Sequence, residues 1–306
     1  MKPWLRLLIS VVILLGLVGI VYWPHKPATP AAVAPPLIKF SASDVRSVTI
    51  AQPGQPTVEL TRAGDQWTLS QPYSYPADQS TVSSMLDSLA NITGAVDVGS
   101  SNNAAAFGLD HASVVKLGLA NGQTDEIDFG DDSPTGGNSY LRLGPSGAIK
   151  MAPTDVKTNA LKSAFLLQDK AILHFPSGQL TALDVTLPGK KPLHLDRANN
   201  AWPKDQQSNA QSLLDALNDG QMTAMPDPTG KDAATTEGLA HPAATLMLTW
   251  NGGKATLEIG AKKGAAEYYA RNSSSPAVFT ISDYLLTDIT NLAAPPKPLT
   301  VGSGIK

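Results

Sequence analysis

The chain has 306 residues, 42% of them hydrophobic, enough for two domains of ordinary size that each bury a core. Charged residues make up only 16% and the formal net charge is −3, so no basic field exists to hold a phosphate backbone, and nucleic acid is not an expected partner. The absence of cysteine excludes a disulfide framework, thiolate zinc or iron–sulfur ligation, a cysteine nucleophile and a lipoprotein acylation site.

Residues 1–6 carry Lys2 and Arg6 and read as a cytoplasmic start. Leu7 to Trp23 follows as an apolar run of helix-spanning character, with Trp4, Tyr22 and Trp23 placed as interfacial aromatics. A basic start before an apolar stretch is shared with cleaved secretory signals. Here the one Ala-x-Ala candidate, Ala32-Val33-Ala34, lies well past the run and precedes Pro35-Pro36, so a retained transmembrane anchor is the favoured reading. Residues 24–36, rich in Pro and Ala, form a stiff spacer. The remainder is expected outside the cytoplasmic membrane.

Two series of landmarks then recur in one order, which predicts tandem copies of a single unit over 37–168 and 169–292. Leu37-Ile38-Lys39-Phe40 matches Ile172-Leu173-His174-Phe175, Arg62 and Trp67 match Arg197 and Trp202, and Leu86-Asp87-Ser88-Leu89 matches Leu214-Asp215-Ala216-Leu217. Gly108-Leu109 pairs with Gly238-Leu239, Phe129-Gly130 with Ile259-Gly260, and Tyr140-Leu141-Arg142 with Tyr269-Ala270-Arg271.

Within the first copy, Val45, Val48 and Ile50 mark a strand, and Val58, Leu60, Trp67 and Leu69 alternate around Ala63-Gly64-Asp65 as in a hairpin. Val82, Met85, Leu86, Leu89 and Ile92 fall at helical spacing behind Asp78 or Ser80 as N-cap. Short strands follow around 114–119, 127–129, 140–143 and 149–151. The second copy repeats the scheme with a helix through Ala210, Leu213, Leu214 and Leu217, then strands around 246–250, 257–259, 268–271 and 278–281. The predicted class is α+β, used twice, with a disordered tail over 293–306.

Pro76-Ala77-Asp78 ahead of the helix, Gly108-Leu109-Asp110, Phe129-Gly130, Tyr140-Leu141-Arg142, and the Leu167, Asp169 and Lys170 of the inter-repeat segment carry a resemblance. From about Leu37 to Leu292 the chain resembles the bacterial family of unknown function numbered forty-three-forty. The second copy departs from the pattern at Asp205-Gln206-Gln207 and Ala240. The resemblance implies an envelope protein with one N-terminal anchor, often encoded beside ABC-transporter components of the gliding-motility type. It implies no catalytic residue, and no cofactor is expected.

Four residue pairs are the candidate sites. Arg62 with Trp67, and Arg197 with Trp202, could form an aromatic platform for a glycan or peptide, or a cation–π pair that stabilises each hairpin. Tyr140 with Arg142, and Tyr269 with Arg271, share a strand face and could bind an anionic group. Asp125, Glu126, Asp128, Asp131 and Asp132 offer oxygens for a hard cation without an EF-hand spacing, and a solvated loop is the favoured reading. His111 and His241 occupy matching turns. Gly230-Lys231 lacks the glycine of a phosphate loop, and no Gly-x-Ser-x-Gly elbow occurs. The expected role is a membrane-anchored scaffold or accessory subunit, with an ABC-type transporter as partner and no catalysis of its own. The alternative is an extracytoplasmic module that binds glycan, lipid or peptide.

Overall fold

The computed structural model describes residues 36–93 and 95–294. The expected cytoplasmic start, anchor and spacer up to residue 35, and the expected tail from residue 295, lie outside them. Among the described residues no helix is long and apolar enough to cross a membrane.

The architecture is α+β, with two antiparallel sheets and few helices. The first half contributes β1 (Val45–Ala51), β2 (Val58–Ala63), β3 (Gln66–Gln71) and β4 (Tyr75–Pro76), then helix α1 (Gln79–Ala90) and β5 (Val96–Gly99). It continues with β6 (Ser113–Leu119), β7 (Thr124–Asp132), β8 (Asn138–Leu143) and β9 (Ile149–Pro153), and closes with α2 (Thr154–Ala160) and the single turn α3 (Ala164–Leu167). The second half has β10 (Leu180–Thr186), β11 (Leu193–Asp196), α4 (Gln207–Asp219) and β12 (Ala224–Asp227). β13 (Ala244–Trp250), β14 (Gly253–Lys263), β15 (Glu267–Asn272), β16 (Val278–Ser282) and α5 (Asp283–Leu292) complete it.

The first sheet has nine strands in the order β4-β3-β2-β1-β6-β7-β8-β9-β5, and the second has seven in the order β11-β10-β13-β14-β15-β16-β12. Leaving β3 and β4 aside, both follow the same chain-order pattern. Irregularities in the ladders fall at corresponding places: between Val45 and Ser47 and between Leu180 and Ala182, then between Phe129 and Asp132 and between Ile259 and Lys262.

Each sheet turns one face to its helices, because alternate strand residues project to one side. Leu60, Leu69, Val115, Leu117, Ile127, Phe129 and Leu141 meet Val82, Met85, Leu86 and Leu89 of α1 in the first core. Leu183, Val185, Leu246, Leu248, Leu257 and Ile259 meet Leu213, Leu214 and Leu217 of α4, together with Leu285, Ile289 and Leu292 of α5, in the second. Helix α5 was not anticipated, although Leu285, Ile289 and Leu292 stand at helical spacing behind Asp283; ten residues are too few for that pattern to stand out beside a strand.

The two hairpins differ. Arg62 pairs with Trp67 in a β2–β3 ladder closed by Gly64 in the left-handed region. In the second half the expected hairpin is reduced to a bridge between Ala198 and Ala201, closed by Asn199 and Asn200, both at positive φ. Pro203 follows Trp202 and has no N–H to donate, so a ladder like that of β3 cannot continue.

The segment expected between the copies works as a seam. Asp78 N–H donates to Leu167 O at 2.8 Å and Asp169 N–H to Pro76 O at 2.9 Å, which extends the β4 edge of the first sheet. On its other side, Met222 N–H donates to Lys170 O at 2.9 Å, just ahead of β12, the edge of the second sheet. Tyr75, a β4 residue, is buried in the second core.

Candidate functional site

At both hairpins the guanidinium lies over the indole, with Arg62 Cζ 5.8 Å from the Trp67 ring centroid and Arg197 Cζ 5.7 Å from that of Trp202. Both indoles are buried in the cores, which leaves no flat aromatic face for a ligand to stack upon. Each Arg also reaches the turn before its half's first strand. Arg62 Nη1 donates to Ser43 O at 3.2 Å, and Arg197 Nη1 to Ser177 O at 2.9 Å. The backbone of each Trp is held by a glutamine to which the sequence reading assigned no contact. Gln79 Nε2 donates to Trp67 O at 3.0 Å while its Oε1 accepts the Trp67 N–H, and Gln207 Oε1 accepts the Trp202 N–H.

The two tyrosine–arginine strands are not free anion sites, because each guanidinium is engaged by a carboxylate on the neighbouring strand. Arg142 Nε donates to Asp128 Oδ2 at 2.8 Å, and Arg271 Nη2 donates to Glu258 Oε2 at 2.6 Å. Tyr140 packs its ring edge-to-face with Phe107 at 4.8 Å. The first pair is sealed: burial pushes the Asp128 carboxyl up against the opposing pull of Arg142. The second pair is open. Its side chains are 33% and 30% exposed, against 11% and 4% for Arg142 and Asp128.

Other acidic residues of the 125–132 stretch are also held in pairs. Glu126 meets Lys116 at 2.9 Å, Asp132 meets Lys157 at 2.8 Å, and Asp131 lies 3.6 Å from His111. Among the described residues no group of three metal-ligating side chains forms a cation site. The matching glycines have a steric reason. A Cβ on Gly130 would collide with the Phe107 carbonyl oxygen, and one on Gly260 with that of Glu237.

The seam also holds a buried polar group. Gln168 is fully buried; its Oε1 accepts from the Tyr73 hydroxyl at 2.6 Å and its Nε2 faces the Met222 sulfur at 3.9 Å. Asp169 accepts from Ala171 N–H at 2.9 Å and from His174 Nε2 at 2.5 Å. Burial acts to raise the Asp169 carboxyl, but these hydrogen bonds outweigh it and hold it below the usual carboxylate range. The same hydrogen bond lifts His174 above its ordinary value. Burial, then the charge of Asp169, pushes the Tyr75 hydroxyl up to about 12. Asn272 closes the seam by donating from Nδ2 to Ile172 O at 3.0 Å.

A family model described as Domain of unknown function (DUF4340) matches residues 67–240 and 204–294, well over half of the chain. The chain belongs to that family. No curated protein and no solved structure matches it. In this chain the Leu167–Lys170 segment is the hydrogen-bonded join between the two sheets, and the Arg62, Trp67, Arg142, Arg197 and Trp202 landmarks make internal contacts.

Proposed function

We propose that this DUF4340 chain is a membrane-tethered scaffold or accessory protein of the bacterial envelope, built from two copies of one α+β unit. It acts by binding a protein partner, in the family context an ABC-type transporter, without turnover of its own. The observation that supports this best is the seam, where backbone hydrogen bonds on both sides of Leu167–Lys170 and the buried Gln168 hold the two sheets as one body. A partner would then meet two similar surfaces at a fixed spacing, which raises the effective concentration of the second contact. The shared strand order, the matched ladder irregularities and the repeated Trp–Gln hydrogen bond support the duplication. The apolar run Leu7 to Trp23, with Lys2 and Arg6 before it, supports a single-pass anchor with the sheets outside.

The test is cross-linking of the full chain in its native membranes, followed by solubilisation, capture and mass spectrometry. Reproducible recovery of transporter subunits is the expected result. Hydrolysis of glycans, peptides or esters by the purified protein, at a rate abolished by changing one acidic residue or histidine, would overturn it. N-terminal sequencing that begins beyond Trp23 would remove the tether.

A further inference from the structure

We propose that the open cleft above Glu258 and Arg271 binds an uncharged oligosaccharide. The cleft measures about 500 Å³, within the roughly 300–1,000 Å³ of small-ligand sites. Thr256 and Glu258 of β14, Arg271 and Asn272 of β15, and the Ser273–Ser275 turn with Pro276 line it.

The polar groups keep unused hydrogen-bonding capacity of both kinds. Arg271 Nε and Nη2 both donate to one oxygen, Glu258 Oε2, at 3.1 and 2.6 Å. Among the described residues no hydrogen bond engages Glu258 Oε1 or Arg271 Nη1, so the pair retains an acceptor oxygen and the N–H donors of Nη1. Ser273 Oγ accepts the Thr256 N–H at 3.0 Å and keeps its own proton to give. Ser274 Oγ donates to Asn272 Oδ1 at 2.6 Å and keeps its lone pairs. The turn is fixed before any ligand arrives, because Asn272 is buried, with Oδ1 held by Ser274 and Nδ2 by Ile172 O. A preorganised wall lowers the ordering cost of binding.

Charge and shape then select the ligand. Glu258 neutralises Arg271, so neither a free anion nor a free cation meets a net opposite charge. Pro276 is the one hydrocarbon side chain of the lining, so an apolar peptide side chain finds no pocket. Several hydroxyls carried on an uncharged frame match the mixture of donors and acceptors. The first half sharpens the contrast: the corresponding Asp128–Arg142 pair is sealed, and Arg142 Nη2 turns to Leu109 O at 3.4 Å. One ion pair of the same kind is closed as structure in one half and opened to solvent in the other.

The test is saturation-transfer difference NMR on the full chain with chitotriose, maltotriose and cellotriose at millimolar concentration, each followed by titration for affinity. At least one sugar should bind. Thr256→Val, which keeps the shape and removes a hydroxyl, should weaken it by about threefold to tenfold. Glu258→Gln should weaken it by about tenfold and create binding of inorganic phosphate that the unaltered chain lacks. Absence of binding by all three sugars would overturn the proposal, as would affinity unchanged in both variants or equal binding by trialanine. Partner capture in membranes does not depend on this cleft, so the two proposals fail separately.

Discussion

Gln79 accepts the backbone N–H of Trp67 through its side-chain oxygen at 2.7 Å. Gln207 stands in the same relation to Trp202 at the same distance, although the residues before the two glutamines differ. Asp78 caps α1 by accepting the N–H groups of Ser80 and Thr81 at 3.0 Å, whereas Gln206, at the N-cap position of α4, makes no side-chain cap. The glutamine, one residue beyond the N-cap position, ties the helix to the tryptophan backbone in both halves.

Removing that tie should be costly in either half. Gln79→Ala and Gln207→Ala each leave a tryptophan N–H without its acceptor, and a loss of about 1–3 kcal/mol is expected. Urea unfolding of each variant measures it. Asp78→Ala should cost about 1 kcal/mol by loss of the cap alone.

Trp67→Ala and Trp202→Ala should each cost about 3–5 kcal/mol, since both indoles lie in the cores. Thermal melts separate this from a surface platform, whose truncation would leave the melting temperature nearly unchanged.

The two arginine pairs should respond unequally. Arg142→Ala strands the buried Asp128 carboxylate, with an expected cost of about 3–5 kcal/mol. Arg271→Ala leaves Glu258 in reach of water, and about 0–1 kcal/mol is expected. Parallel denaturant titrations of the two variants give the comparison directly.

The seam should carry a pH signature. His174 is raised, so its contribution is complete below its ordinary 6.5 and is lost as pH climbs through the folded value. Asp169 is lowered, so its contribution is present above 3.8 and is lost as pH falls through its folded value. Both act together between those limits. The drop in melting temperature on His174→Ala should be largest near about pH 5–6 and shrink above neutrality. A drop that stays constant from acid to alkaline pH would remove the ion pair from the seam's stability.

Gln168 and Tyr73 should be energetically coupled. A double-mutant cycle with Gln168→Ala and Tyr73→Phe is expected to give about 1 kcal/mol of interaction. The same variants should loosen the join, seen as faster proteolysis within residues 161–170.

Much of this fold was legible because its signals are local. Alternation marked most of the strands, the spacing of Val82, Met85, Leu86 and Leu89 marked α1, and two ordered sets of landmarks lie at matching places in the two sheets. Gly130 and Gly260 could be matched as letters, but the carbonyl oxygens that exclude a side chain there come from residues 107 and 237. Likewise, Tyr-x-Arg could be recognised as a shared strand face, while the partner of each guanidinium lies on the neighbouring strand and depends on ladder register. The sequence by itself therefore determined the class, the family and most of the secondary structure, but not β5, β12, α2 or α5. Tertiary structure alone decided that Trp67 and Trp202 are buried, that Gln168 joins the sheets, and that one ion pair is sealed while the other opens into a cleft. Those outcomes rest on burial and on contacts between residues far apart in the chain, and a local pattern contains neither.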